Sequence, residues 1–150
     1  MIIYFDGDDV SSALELFLLN GDLAEAREYS ESLSRASALI RDYLAAEPGV
    51  EIMMAGGDDL VVYLRRESAA PELIERMRKA FREECGRSMS VGVGSDSREA
   101  AINLRRAKLM GRNRVVGVDG SPVVPDGLLS AIMPEKISGL CWPGSNENCR

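Results

Sequence analysis

The amino-acid sequence predicts a mixed α+β domain of the ferredoxin-like class, and three observations carry that expectation. Short runs rich in β-branched and aromatic residues alternate with helical stretches in the order β-α-α-β-β-α-β-α-β. That order contains the split βαββαβ unit, with an extra helix after the first strand and an added α-β unit after the fourth. Glycines and capping residues fall at the joints between these runs.

The run MIIYF reads as a buried first strand ending at Asp6. Val10, Ala13, Leu14, Phe17 and Leu18 follow at helical spacing, and Gly21 stands where that helix would stop. Asp22 and Glu25 have capping-box spacing and open a longer helix to about residue 46, with Tyr29, Leu33, Ala36, Ile40, Tyr43 and Leu44 as its apolar stripe. Pro48 and Gly49 close it. Two strands flank the turn GGDD, residues 56 to 59. Pro71 then occupies a first helical position ahead of the stripe Leu73, Met77, Ala80 and Phe81. SMSVGVG, residues 88 to 94, is a fourth strand whose small residues permit a close approach to its backbone. Asp96 with Glu99 caps a helix to about Met110, Gly111 terminates it, and RVVGV, residues 114 to 118, is the fifth strand. Beyond Asp119, Pro122, Pro125, Pro134 and Pro143 interrupt short apolar pieces. Residues 119 to 150 therefore read as a turn-rich extension packed on one domain of residues 1 to 118.

Composition narrows the chemistry. The chain has 150 residues, 45% apolar and 28% charged, which suits a globular domain with a real core and excludes disorder and fibre classes. A net charge of −6 opposes a protein that grips long nucleic acid through its phosphates, so any phosphate binding is local. There is no histidine, which removes Ser-His-Asp and Cys-His nucleophile schemes and His-bearing zinc sites. Cys85, Cys141 and Cys149 are odd in number and lack C-x-x-C spacing, as suits reduced thiols. The apolar start is too short for a signal sequence or a membrane span, so a cytoplasmic protein without membrane partners is expected.

The split unit places its first and third strands side by side and antiparallel. Asp6, with Asp8 and Asp9 just after it, should then face Asp58 and Asp59. Crowded carboxylates repel one another and raise one another's pKa unless cations neutralise them. Oxygen ligands without His or Cys suit Mg2+ or Mn2+. Gly56 and Gly57 serve a turn that needs φ above zero and leave clearance for a phosphate. Taken alone, GGDD and DGDD read more simply as solvated turns, and topology is what joins them. Arg105, Lys108 and Arg112 fall on one stripe of the last helix and its exit. Alone they read as a solvated basic face; beside a metal site they form a clamp for a triphosphate.

With YFDGDD, AGGDDL and AKLMGRNRV in this order, the sequence resembles the palm-type nucleotide cyclases and polymerases. That group includes the GGDEF diguanylate cyclases and the palm domains of type III CRISPR polymerase subunits, and the nearest resemblance is to the minimal CRISPR polymerase family. It covers roughly residues 1 to 118. The resemblance implies that Asp6, Asp58 and Asp59 are catalytic and hold two divalent ions, Mg2+ or Mn2+, with the Gly7 carbonyl joining them. It implies that Lys108 and Arg112 contact nucleotide phosphates, within a nucleotide-binding set that also takes in Gly7, Asp8, Asp9, Gly56 and Gly57. The implied activity is condensation of ATP into a cyclic di- or oligonucleotide, with a homodimer, a product-sensing effector protein and a role in antiphage defence. GGDDL in place of GGDEF sides with the ATP-using palms, while a GTP-using enzyme like the diguanylate cyclases stays open. No fingers or thumb region is expected, which speaks against a templated polymerase. A silent palm that senses nucleotides and a plain ferredoxin-like interaction module are the rival readings.

Overall fold

The structure, a computed structural model, describes residues 1–120 and 122–123. The expectations for Pro125, Pro134, Pro143, Cys141, Cys149 and the rest of 124–150 lie outside the described residues.

Alternation along Ile2–Gly7 (β1) buries Ile3 and Phe5 on one face and turns Tyr4 and Asp6 to the other. Val50–Gly56 (β2), Asp59–Leu64 (β3), Met89–Gly94 (β4), Val115–Val116 (β5) and Pro122–Val123 (β6) join it in a six-stranded sheet. The strand order is β2-β3-β1-β4-β5-β6, with β1 antiparallel to both β3 and β4. The expected α+β class is thus observed, with the first and third strands adjacent.

Pro122 and Val123, expected in a turn-rich extension, form β6 and pair antiparallel with β5, Val116 opposite Pro122 and Val115 opposite Val123. Proline is tolerated because, among the described residues, β6 is the edge of the sheet, where one side of the strand needs no ladder partner.

Among the described residues, four α-helices pack on the sheet: Val10–Leu19 (α1), Leu23–Ala46 (α2), Ala70–Cys85 (α3) and Ser97–Leu109 (α4). Ala36, Ile40 and Leu44 of α2 and Leu73, Ile74, Met77 and Phe81 of α3 cover the face of Ile3, Phe5, Val62 and Leu64. Each fully buried Ile, Leu or Phe contributes about 1.5–3 kcal/mol, so this layer is the main source of stability. Tyr43 falls off the stripe and is exposed, because it sits one residue round from the Ala36, Ile40, Leu44 row.

The other face of β4 and β1 is covered by α4. A Cβ at Gly92 would lie 2.1 Å from the Ala100 carbonyl oxygen and 2.2 Å from the Leu104 nitrogen. The small residues of β4 therefore admit a helix backbone, and every residue of the strand is buried. Asp96 caps α4 by accepting from the Glu99 N–H at 2.8 Å, while Glu99 Oε2 accepts from Ser95 N–H at 2.7 Å. The box expected at Asp22 does not form. Its N–H donates to the Phe17 carbonyl at 2.9 Å, so the residue is committed to ending α1 around Gly21, whose φ is 77°.

Candidate active site

The end of β1 lies beside the beginning of β3. The register pairs Phe5 with Leu60, and one further step along both strands sets Asp6 beside Asp59. Gly7 comes up against Asp58: a Cβ there would stand 2.9 Å from Asp58 Oδ2 and 2.7 Å from Val10 Cγ2. Glycine at position 7 is what lets the two strand ends close.

Asp6, Gly7, Asp58 and Asp59 share an open cleft of about 350 Å3 with Asp9, Val10, Ser11, Ser12, Lys108 and Arg112. Lys108 rises from the last turn of α4, with Nζ 2.5 Å from Asp6 Oδ1, and donates to the Gly7 carbonyl at 3.3 Å. Arg112 Nε lies 3.1 Å from Asp9 Oδ1. The start of α1 forms a wall at Val10, Ser11 and Ser12, where free backbone N–H groups favour anions. Arg105, on the predicted basic stripe, is exposed and joins no ion pair among the described residues.

Burial pushes the Asp6 carboxyl above the usual carboxylate range, and Asp59 and Asp58 push it further, against the pull of the Lys108 ammonium. Asp58 is raised for the same leading reason, burial, with Asp59 adding to it and the turn backbone opposing. Tyr4, two residues before Asp6 on the same face of β1, donates its hydroxyl to Asp59 Oδ1 at 3.2 Å. Its phenol is raised by burial and then by Asp59.

The donor set fits a hard divalent ion by its chemistry. Asp6 Oδ1 and the Gly7 carbonyl already hold one positively charged group between them, and Asp58 and Asp59 face the same cleft. The fit is not a closed cage: among the described residues, no three His, Cys, Asp or Glu side chains are gathered closely enough to hold a metal ion unaided.

Asp8 differs from its neighbours. It is 3% exposed and turned inward, accepting from Ser88 Oγ at 2.7 Å, Ser90 Oγ at 2.6 Å and the Asn113 N–H at 2.9 Å. Those bonds tie β1 to β4 and to the loop after α4, so Asp8 does not face Asp58 and Asp59. Asn113 is also clamped by buried Arg78, whose Nη2 donates to its carbonyl at 3.0 Å and its Oδ1 at 2.8 Å. This clamp fixes a loop in which Arg112 and Asn113 both hold positive φ, 62° and 48°, opposite Asp9 at 56°. Such conformations persist where surrounding contacts over-determine them.

The glycines of GGDD divide their work. Gly57 has φ 61° and leads the two-residue turn between paired Gly56 and Asp59, whereas Gly56 has no positive φ. Neither lines the cleft of Asp6. Gly57 instead borders a second cavity of about 330 Å3 between α1 and α2, lined by Val10, Ser30, Leu33, Ser34, Ser37, Arg41 and Asp58. Ser37 Oγ donates to the Gly57 carbonyl at 2.6 Å and so links α2 to the turn.

Sequence reasoning missed Tyr4, Ser37 and the Asp8 network. Tyr4 was readable from strand alternation, because residues 4 and 6 share a face. Ser30, Ser34 and Ser37 were readable as i, i+4, i+7 positions on the polar side of α2. The long-range partners Ser88 and Ser90 gave no local signal.

A split-βαββαβ sheet with acidic strand ends, a glycine turn and a basic helix exit over one cleft defines a palm domain of the nucleotide-polymerising class. Residues 2–118 match the model of the minimal CRISPR polymerase domain, and the chain belongs to that family. Among solved structures it is similar to a Csm1–Csm4 cassette in complex with cA4, with a TM-score of 0.58 and 24% identity over 78% of this chain and 20% of that one. It is similar also to that cassette in complex with pppApA, TM-score 0.56 and 23% identity over 77% and 20%. The cassette in complex with AMPPNP gives TM-score 0.54 and 24% identity over 77% and 20%. The likeness is one of fold, and this chain spans about a fifth of the length of those chains. No curated protein gives a significant match. Among the described residues, no helix is long and apolar enough to cross a membrane.

Proposed function

We propose that the chain is a nucleotidyltransferase that condenses ATP into a cyclic di- or oligonucleotide. The observation that carries this reading is the convergence of Asp6, Gly7, Asp58, Asp59, Lys108 and Arg112 on one cleft.

Asp6, Asp58, Asp59 and the Gly7 carbonyl are the oxygen ligands for two Mg2+ or Mn2+ ions. When bound, the ions supply charge neutralisation for the phosphates and acidify a ribose hydroxyl. Lys108 and Arg112, with the N–H groups opening α1, grip the β- and γ-phosphates and offset the charge that builds on departing pyrophosphate. Tyr4 holds Asp59 in orientation through its hydroxyl. The cavity between α1 and α2 adjoins the cleft through Val10 and Asp58 and has the size for a nucleoside. In the reaction, the ribose oxygen of one nucleotide bonds to the α-phosphorus of another, the α–β phosphoanhydride bond breaks, and the hydroxyl proton passes to solvent. No side-chain nucleophile takes part, in keeping with a chain that has no histidine.

One cleft of this size accepts one triphosphate as donor, so ring closure calls either for two copies of the chain facing each other or for a second acceptor pocket in one chain, and two-fold symmetry favours the homodimer. A downstream protein that reads the product, and service in antiphage defence, follow from the family as proposals. Incubation with ATP and Mg2+ or Mn2+ tests the reading. Pyrophosphate and a phosphatase-resistant product are expected from the wild type and absent from Asp58→Asn. Tight nucleotide binding without product would instead mark a sensor.

A further inference from the structure

The end of α3, the start of β4 and the loop 111–113 enclose a concave cleft of about 410 Å3 beyond the site described above. Arg82, Arg87, Ser88, Arg112 and Asn113 line it. Both carboxylates that border it are committed: Asp8 is buried under three hydrogen bonds, and Asp9 pairs with Arg112. Among the described residues, the guanidinium of Arg82 donates to Asn113 Oδ1 at 2.7 Å. That of Arg87 lies over the Tyr29 ring, 5.6 Å from its centroid. Among the described residues neither Arg82 nor Arg87 pairs with a carboxylate.

In a chain of net charge −6, this is a local excess of positive charge on a concave wall. Guanidinium forks match phosphate oxygens, and the volume suits a ligand larger than a single ion. The wall is also pre-set, since Arg78 and Asp8 pin Asn113 from both sides.

We propose that this cleft is a second anion subsite that binds a polyphosphate through Arg82 and Arg87, sharing Arg112 with the cleft of Asp6, Asp58 and Asp59. On the nucleotidyltransferase reading, the polyphosphate is the 5′-triphosphate of a second nucleotide or the released pyrophosphate.

Calorimetric titration of the full chain with inorganic tripolyphosphate in EDTA tests the subsite. Relative to the wild type, Arg82→Gln with Arg87→Gln should weaken binding by about tenfold or more, while the paired Lys substitutions, which keep the charge and lose the fork, should fall between the two. Arg27→Gln should leave the same titration within about twofold, because Arg27 pairs with Glu31 on exposed α2 and lines neither cleft. Competition by ATP against pyrophosphate then separates the two sources, the stronger competitor naming the occupant. Unchanged affinity in the double Gln variant, or no tripolyphosphate binding by the wild type, overturns the proposal. Failure of ATP condensation with tripolyphosphate binding intact counts against the enzymatic reading alone.

Discussion

Lys108 Nζ stands 2.5 Å from Asp6 Oδ1, joining residues 102 positions apart across the end of the sheet. Helix α4 can bring the ammonium there because Gly92 and Gly94 let it sit on the backbone of β4, next to β1. The lysine thus neutralises one carboxylate of an acidic cluster and contacts the same Gly7 carbonyl that the proposed ions need.

Competition follows from that contact. Lys108→Met should bind Mn2+ alone more tightly than the wild type, by about tenfold if the lost pair is worth on the order of 1.4 kcal/mol. Titration of free Mn2+ by electron paramagnetic resonance measures it. Weaker Mn2+ binding would show that Lys108 organises the ligands instead of competing for them.

Asp58 gives the pH dependence. Its folded pKa is raised above the ordinary 3.8, so the folded state binds the proton more readily than the unfolded one. Stability therefore falls as pH rises from about 3.8 through the raised value, and the full penalty is present above it. Asp58→Asn should melt about 2–4 °C higher than the wild type at pH 7 in EDTA, an effect on the order of 1 kcal/mol once solvent screening is allowed for. The difference should shrink as pH is lowered through the raised value. Thermal melts across that range read both parts.

Asp8 serves structure. Asp8→Ala strands Ser88 Oγ, Ser90 Oγ and the Asn113 N–H without their acceptor. A loss of about 2–4 kcal/mol in urea unfolding is expected. A stable variant with weakened nucleotide binding would return Asp8 to the ligand site.

Two glycines separate close packing from clearance. Gly92→Ala drives a methyl into the backbone of α4 and should cost about 3 kcal/mol or more. Gly56→Ala meets nothing within 4 Å and has no positive φ, so a change within about 0.5 kcal/mol is expected. Paired denaturation curves decide it.

Much of this was legible because it is local. The run MIIYF, the hairpin around GGDD and the Asp96–Glu99 cap each announce themselves within a few residues, and the order of elements then dictates that Asp6 meets Asp59. What escaped depends on the third dimension. Asp8 resembles Asp9 in sequence, yet the hydroxyls of Ser88 and Ser90, some eighty residues later, and the Asn113 N–H hold it inward. Asp22 has the spacing of a cap, but the preceding turn had already claimed its N–H. Pro122 reads as a breaker until a sheet edge is available to receive it.

Incubation of the purified chain with mixed nucleoside triphosphates and Mn2+ or Mg2+, followed by mass spectrometry of the products, tests the central proposal most directly. A cyclic adenylate with stoichiometric pyrophosphate, abolished by Asp58→Asn and by Asp59→Asn, is the expected result. A cyclic guanylate would keep the enzyme and change its base, and no product from any triphosphate with either ion would contradict the proposal.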